Sequence, residues 1–490
     1  MKRFIGVALF AAGLGAMPVL PAAEAPPLPL WIAQTGSPSI EWRHWSADTL
    51  AHARAAGRSV YVFVGSDTQE LARATVQQTF SRPETIAWLN ENFTCIAVDA
   101  DEQPVVAAFA RHFLTTVTQQ RGWPAHLWLT PDLLPYEGAG YLPATEEWGR
   151  PGFLKSARTA LDVWQQDPER ARALGAEAVE RMRLVPPERA PGQAVEELLT
   201  QATRQWMDAE DKVAGGFGAA PKVPEPELWQ FLSTRGPEAL AVARRAANAV
   251  VGSALHDRVN GGFYRRTLDA AWQEPYRQKS LLDQARLARA LFALDAVEPW
   301  PEGRAAGEAA LAFALRIFRK ADGDWSLVWD ETAAGAPVLR GRAPVSVVAW
   351  LAIALLESGS SSQREIGRTL ASTLAAGGGQ VLTAADGLAI ALALHRSGDA
   401  HASAALASRM QSKFFAAEFG LFLATGPEPV EGLPGRFPAL PEPLRPEVIA
   451  LQLPGVDRAT REVMRNALRW MVEYDPLPSG DVLSGLAARP

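Results

Sequence analysis

The chain has 490 residues, of which 48% are apolar and 21% charged, a composition typical of a globular protein. Its length exceeds what one hydrophobic core usually organises, so we expect two domains. The formal net charge of −6 argues against nucleic acid or anionic lipid as the main partner. The single cysteine, Cys95, excludes an intramolecular disulfide and a cysteine-rich metal site.

Residues 1–25 have the order of a secretory signal peptide. Lys2 and Arg3 precede an apolar run from Phe4 to Leu20, and small residues follow at 21–25. A membrane anchor is the alternative, but glycines and Pro18 interrupt a run that barely reaches the roughly 20 residues of a spanning helix. We therefore expect export to the periplasm or beyond the cell, and a mature chain without a membrane span.

The next region predicts alternating helices and strands. Apolar runs at Ser59–Val64, Phe93–Val98 and Ala125–Leu129 indicate buried strands, while Asp48–Ala56 and Glu84–Asn92 indicate helices. Strands alternating with helices over about 120 residues make one α/β domain. A proline directly ahead of the last strand suits a thioredoxin-like sheet. We place this domain at residues 26–185.

From about Val195 the pattern changes to apolar residues at helical spacing, interrupted by glycine-aromatic turns such as Gly215–Phe217 and Gly261–Phe263. About eleven such helices fit an all-α (α/α)6 toroid at residues 195–490 better than a four-helix bundle. The proline-rich stretch between the domains predicts a linker at 186–194. The helices predicted here include 196–207, 237–255, 279–296, 302–319, 345–357, 364–376, 384–396, 400–415 and 458–474.

Several motifs, in this order, resemble the spermatogenesis-associated protein 20 family, whose members combine a thioredoxin-like domain with a six-hairpin-glycosidase-like α/α-toroid. The resemblance covers nearly the whole mature chain. The residues that carry it are Glu41–Trp45, Asn90–Phe93, Val98-Asp99, Gly122–Pro124, Leu129–Asp132, Gly215–Gly218, Ala220–Lys222, Gly261–Phe263, Asp269, Trp272, Val381–Ala384 and Gly387-Leu388.

This chain departs from the family at the redox motif. Family members usually carry C-H-W-C after the first strand, and that motif falls here on Gln69–Ala72. Thiol exchange needs one thiolate to attack and a second to resolve the mixed disulfide, which neither Gln69 nor Ala72 supplies. Cys95 lies within an apolar strand, where we expect a small buried hydrophobe. The resemblance also implies a cis peptide at Trp123-Pro124.

The toroid departs from the family as well. The family's H-F-E-K segment aligns with Tyr276–Lys279, which replaces an imidazole and a carboxylate by a phenol and an amide. Lys279 and Asp283 lie one helical turn apart, which predicts either a surface ion pair or a place in a pocket. The candidate pocket residues at one mouth of the toroid are Asp269, Trp272, Tyr276, Gln278, Lys279, Asp283 and Asp386.

These observations predict a redox-inactive, non-catalytic binding or scaffold protein. The Trp123-Pro124 loop would receive a peptide or protein, and the toroid could hold a glycan stacked on Trp272. The alternative is a carbohydrate-active enzyme, glycosidase-like or sugar-epimerase-like, that uses carboxylates such as Asp283. The third and most distant alternative is a thiol oxidoreductase. No histidines recur at metal-ligand spacing, so we expect neither a metal nor a cofactor.

Overall fold

The computed structural model describes residues 29–33, 40–147, 149–185, 192–332, 336–377, 383–426, 433, 436–439, 445–475 and 477–488. The predicted signal peptide and residues 186–191 of the predicted linker lie outside these ranges, as do Val381 and Leu382. The predicted domain bounds therefore stay a prediction.

The N-terminal domain is a four-stranded sheet with helices on both sides. The strands lie in the order β2-β1-β3-β4, with β1 parallel to β2, and with β3 antiparallel to both β1 and β4. This topology confirms the predicted thioredoxin-like fold. Its elements are α1 (Leu30–Ala33), α2 (Ala47–Ala56), β1 (Val60–Gly65), α3 (Glu70–Ala74), α4 (Pro83–Asn92), β2 (Thr94–Asp99), α5 (Pro104–Phe113), β3 (Ala125–Leu129), β4 (Pro135–Ala139), α6 (Phe153–Gln166) and α7 (Pro168–Arg181).

Strands β1, β2 and β3 are buried along their whole length, so both faces of the sheet contact a core. On one face Val62 and Leu127 pack with Phe109 of α5. On the other face Tyr61 and Trp128 lie in an aromatic cluster under α6. Continuous apolar runs, rather than alternating ones, are what a sheet buried on both faces requires.

In its described residues, the C-terminal domain consists of helices, one three-stranded sheet and one short two-stranded sheet. Its helices alternate between an inner and an outer layer. They are α8 (Val195–Asp208), α9 (Pro226–Ser233), α10 (Pro237–Gly252), α11 (Leu281–Val297), α12 (Pro301–Ile317), α13 (Val345–Glu357), α14 (Ser361–Ala376), α15 (Ala384–Ser397), α16 (Ala400–Phe414), α17 (Pro446–Ala450), α18 (Arg458–Tyr474) and α19 (Gly480–Ala487), and the strands are β5 (Gln278–Ser280), β6 (Ser326–Glu331), β7 (Pro337–Arg342), β8 (Phe415–Ala416) and β9 (Leu421–Phe422).

Six inner helices form a closed ring. Each of α9, α11, α13, α15, α17 and α19 contacts the next, and α19 contacts α9 again. The other helices pack outside this ring, which confirms the (α/α)6 toroid. Helices α13 and α15 are buried almost throughout, since they face the packed axis of the ring. Because successive helices alternate between layers, the inner helices run parallel and begin at the same mouth of the toroid.

Two differences from the predicted elements affect this mouth. The helix predicted from Lys279 begins at Leu281, and Gln278–Ser280 forms strand β5 against β6. The hairpin β6–β7 was not predicted, and its outer strand reaches the N-terminal domain, where Gly341 lies beside Asp67 and Thr68. No helix among the described residues is both long enough and apolar enough to cross a bilayer.

Candidate functional site

The loop at the lost thiol positions is a well-ordered helix start without a nucleophile. Gln69 precedes α3, and its side-chain oxygen accepts the backbone N–H of Ser66 at 3.2 Å. Ala72 is fully buried against Gly65 at the end of β1. Cys95 is buried on β2, and burial raises the pKa of its thiol to about 12. A thiol with that pKa is protonated at neutral pH and is a poor nucleophile.

The proline loop lies where the sequence predicts. The Trp123-Pro124 peptide bond is cis, which confirms that expectation. Pro124 is buried and leads into Ala125, which pairs with Val64 near the end of β1. The loop therefore lies beside the helix start at Gln69.

A cleft separates this part of the N-terminal domain from the mouth of the toroid. It has a volume of about 480 Å³ and combines polar, charged and apolar walls. From the N-terminal domain it is lined by Thr68, Gln69, Glu70, Leu71 and Trp123, and from the toroid by Val223, Pro224, Glu225, Pro226, Arg265, Arg266, Tyr276, Gln278, Asp283, Arg286 and Leu287.

Direct contacts between the domains close one side of the cleft. The hydroxyl of Tyr276 donates to Glu70 at 2.8 Å, and the side-chain amide of Gln278 donates to the carbonyl of Thr68 at 3.4 Å. Burial and the Glu70 carboxylate raise the pKa of Tyr276 to about 12. Tyr276 thus contacts the Gln69–Ala72 segment, and Gln278 contacts the residue directly before it.

Trp272 is not available to stack on a ligand. It is 2% exposed, its indole N–H donates to the carbonyl of Gly215 at 3.0 Å, and Lys222 lies 5.1 Å from its ring centroid. A Cβ at Gly216, where φ is +76°, would lie 2.9 Å from the same ring. The predicted sugar platform is therefore wrong: Trp272 holds a glycine turn in the core.

Lys279 also belongs to the core. Its ammonium group donates to Asp257 at 2.7 Å and to the carbonyl of Gly261 at 2.6 Å. The rings of Tyr264, Phe313 and Trp329 surround it with centroids at 4.5 to 4.6 Å. The predicted pairing with Asp283 and the predicted place in a pocket are both wrong, because β5 turns the lysine inward.

Asp269 and Asp386 are capping residues away from the cleft. The Asp269 carboxylate accepts backbone N–H groups of its own turn, among them that of Gln273 at 3.1 Å. Asp386 forms a capping box with Thr383 and accepts the N–H of Ser346 at 2.8 Å. Of the seven predicted toroid residues, Tyr276, Gln278 and Asp283 line the cleft, and the other four stabilise the fold.

The charged network of the cleft includes residues that the sequence analysis missed. Arg265 lies 3.2 Å from Asp283, and Arg286 lies 3.6 Å from the other oxygen of Asp283. Arg286 also donates to Glu227 through two nitrogens, one of them at 2.6 Å. Glu227 lies in the first turn of α9 and Asp283 in the first turn of α11, where helix starts favour carboxylates.

Glu225 is the most perturbed acid of the cleft. It is the residue before α9, where its side chain makes no capping hydrogen bond, and burial raises the pKa of its carboxyl to about 7, with Arg286 opposing the shift and Glu227 and Asp481 adding to it. A carboxyl that titrates near neutral pH in a cleft is a candidate functional group. Glu225 could have been found from the Pro-Glu-Pro segment at 224–226. A proline at the first helical position marks Glu225 as the residue before a helix. No cluster of metal-binding side chains was found among the described residues.

Comparisons with known proteins agree with the two-domain organisation. Residues 28–183 match the family described as Thioredox_DsbH, protein of unknown function, DUF255. The chain is 26% identical over 262 residues to spermatogenesis-associated protein 20 of Mus musculus, covering 51% of this chain and 33% of that protein. It is 26% identical over 268 residues to the uncharacterized protein B0495.5 of Caenorhabditis elegans, covering 52% and 36%. The chain thus spans about a third of the length of these relatives.

Two solved structures share a distant likeness in fold. Cellobiose 2-epimerase from Bacillus thermoamylovorans B4167 is 11% identical with a TM-score of 0.44, covering 57% of this chain and 87% of that chain. A sugar epimerase from a ruminal bacterium is 13% identical with a TM-score of 0.42, covering 57% and 87%. Identities and scores this low carry no argument about what this chain binds or converts.

Proposed function

Since residues 28–183 match the DUF255 thioredoxin-like family and the chain is a relative of spermatogenesis-associated protein 20, we propose that this protein is a redox-inactive binding protein. Its ligand is an extended polypeptide held in the cleft between the two domains. One observation carries the proposal: the Gln69 loop and the Trp123 loop still form one wall of a cleft of about 480 Å³, although neither offers a thiol.

Loss of the thiols removes redox chemistry and leaves recognition possible. Disulfide exchange needs an attacking thiolate and a resolving thiol, and the chain has one buried cysteine. Peptide recognition by strand-like addition uses backbone hydrogen bonds and side-chain pockets, which need no cysteine. The protein should therefore be inert in insulin reduction and in disulfide isomerisation. Turnover above a no-protein control would contradict this, above all if it persisted in Cys95→Ser.

The binding role is tested with a library of labelled extended peptides and fluorescence polarisation on the full chain. Leu71→Arg places a long cation on a cleft-lining leucine that is 43% exposed, and should weaken any peptide that binds by about tenfold or more. Leu174→Arg on α7 is the matched control, because that helix leucine is 37% exposed and does not line the cleft. Equal affinities for both variants and the wild type would overturn the placement of the site.

A carbohydrate-active enzyme is the second candidate, and one observation favours it. Glu225 and Asp283 line the same cleft, and the raised pKa of Glu225 suits a general acid near neutral pH. Burial of Trp272 removes the predicted stacking surface and weighs against it. Calorimetry with oligosaccharides and assays for hydrolysis and epimerisation on a disaccharide panel test this function. Turnover lost in Glu225→Gln would establish it in place of the non-catalytic role.

We also propose that the protein acts outside the cytoplasm, after removal of residues 1–25. The order of charged, apolar and small residues in that segment supports this proposal. N-terminal sequencing of the protein recovered from the periplasmic and culture-medium fractions tests it. A cytoplasmic protein that keeps Met1 would contradict it.

A further inference from the structure

The carboxyl groups of the cleft differ in how they are paired. Within the described part of the chain, Glu70 accepts a hydrogen bond from Tyr276, and Asp283 lies 3.2 Å from Arg265. Glu225 is partly buried at the start of α9, and its carboxylate accepts no hydrogen bond and joins no ion pair with any described residue; its backbone carbonyl accepts the N–H of Trp229 at 3.1 Å. A carboxylate in this position is costly unless a donor reaches it. The Glu225 carboxylate is therefore open to a donor from an incoming group.

The charges around Glu225 favour a cation. Its neighbours are Glu227 on α9, Asp481 in the first turn of α19, and Arg286 on α11, which also approaches Asp283. Arg286 donates to Glu227 and lies near Asp283; its charge acts on Glu225, but it forms no ion pair with it. Arg265 and Arg266 also line the cleft, but Arg265 is paired with Asp283 and Arg266 lies 4.0 Å from Glu70. Two carboxyl groups and one shared guanidinium group therefore act on Glu225.

The walls next to Glu225 suit a long aliphatic stem. Val223 is 43% exposed, and Pro224, Pro226 and Leu287 line the same end of the cleft. Lysine and arginine side chains pack their methylene groups on apolar surface while the charged end reaches a polar partner. A ligand with this combination of groups matches the cleft better than a free small cation does.

We propose that the toroid end of the cleft receives a lysine or arginine side chain of the bound peptide, whose cation hydrogen-bonds the Glu225 carboxylate. This inference rests on the peptide-binding role proposed above. The peptide backbone lies along the wall made by Leu71 and Trp123, and the basic side chain points toward α9 and α11. A charge-assisted hydrogen bond of this kind is roughly twice as strong as a neutral one.

The test uses three labelled heptapeptides that differ only in their central residue: lysine, norleucine or glutamate. Fluorescence polarisation at pH 8, where Glu225 is ionised, compares the full-length wild type with Glu225→Gln. The lysine peptide should bind the wild type about tenfold more tightly than the norleucine peptide, and Glu225→Gln should reduce that preference to about twofold. Glu238→Gln is the matched control, since Glu238 is an exposed first-turn glutamate of α10. It should keep the full preference.

A second variant keeps the test decisive if Glu225→Gln does not fold. Asp481→Asn lowers the negative charge beside Glu225 and should reduce the lysine preference about threefold, with an unchanged circular dichroism spectrum. Equal binding of all three peptides, unaffected by either variant, would overturn this inference and leave the peptide-binding role intact. Absence of binding by any peptide to the wild type would overturn both.

Discussion

Two groups of charged side chains at the same mouth of the toroid have opposite surroundings. In the turn that ends at Phe263, the Asp257 carboxylate accepts from Lys279 at 2.7 Å, from Tyr264 at 3.0 Å and from the backbone N–H of Asn260 at 2.9 Å. In the cleft, the carboxylate of Glu225 has no hydrogen-bond partner among the described residues. Charged residues that a sequence motif singles out can thus serve only to stabilise the fold. The carboxylate that is open to a ligand lies outside that motif.

The largest expected loss of stability comes from removing the lysine of the Asp257–Lys279 ion pair. Lys279→Met removes the cation that aromatic rings surround. It leaves the Asp257 carboxylate, on a residue that is 8% exposed, without its ion-pair partner. We expect the free energy of unfolding to fall by about 3 to 5 kcal/mol, the usual cost of removing one partner of a buried pair. Urea unfolding followed by circular dichroism measures it.

The control for that change is Lys212→Met, whose lysine is 65% exposed and pairs with Glu210, and it should cost less than about 1 kcal/mol. Adding Asp257→Asn to Lys279→Met should recover part of the loss, because no buried charge then remains unpaired. If both lysine variants lost the same unfolding free energy, the buried Asp257–Lys279 pair would contribute no more than the pair that the exposed Lys212 forms with Glu210, against this account.

A smaller loss is expected at Trp272. Trp272→Phe removes the indole hydrogen bond to Gly215 and part of a ring that is 2% exposed. We expect a loss of about 2 kcal/mol in unfolding free energy, from the lost bond and the void. Binding of peptides or oligosaccharides by the folded variant should be unchanged. Selective loss of sugar binding at undiminished stability would restore the carbohydrate role that the buried position argues against.

The sequence predicted the folds of both domains correctly, because these depend on local signals: apolar strands and helical periodicity. The alignment of the family's thiols with Gln69 and Ala72 stays a prediction. The sequence placed Lys279 and Trp272 wrongly because their partners are distant along the chain. The rings of Phe313 and Trp329 lie over Lys279, and Trp272 donates to Gly215, 57 residues away. Contacts between segments so far apart leave no periodic trace in one sequence.

Opposite pH dependence should distinguish the two carboxyl groups. The pKa of Glu225 in the folded protein is about 7, above its ordinary value of 4.5, so the folded state holds a proton that the unfolded state has lost. The stability contributed by the neutral form is complete below about pH 4.5 and is lost as pH rises through 7. Lys279 and the backbone N–H of Asn260 hold the pKa of Asp257 below its ordinary value against the effect of burial, so its contribution is lost in acid instead.

Glu225→Gln should therefore match the wild type near pH 4.5 and exceed it in stability by roughly 2 kcal/mol at pH 8. Chemical unfolding of both proteins at pH 4.5, 6, 7 and 8 measures this difference, with Glu238→Gln as a control of similar helix position. A constant difference across that range would show that the two carboxyl groups do not differ as described.

The smallest effect is expected from restoring the family's carboxylate. Gln278 is 2% exposed and is held by Arg265 at 2.9 Å and by the carbonyl of Thr68. Gln278→Glu keeps an acceptor for Arg265 but loses the amide that donates to the Thr68 carbonyl, so we expect a loss of about 1 kcal/mol in stability and no sugar hydrolysis or epimerisation. Turnover in Gln278→Glu, with none in Gln278→Asn, would show that one substitution separates this chain from an enzyme.

The central claim is that the cleft binds a peptide without thiol chemistry, and the most direct test is peptide affinity in a chain without sulfhydryl groups. Cys95→Ser removes the only cysteine of the sequence at a buried position outside the cleft. For the tightest peptide of the library, we predict dissociation constants for wild type and Cys95→Ser that agree within about twofold, for proteins with matching circular dichroism spectra. Binding by the wild type that is abolished in Cys95→Ser, or a mixed disulfide between Cys95 and a cysteine-containing peptide, would contradict the account.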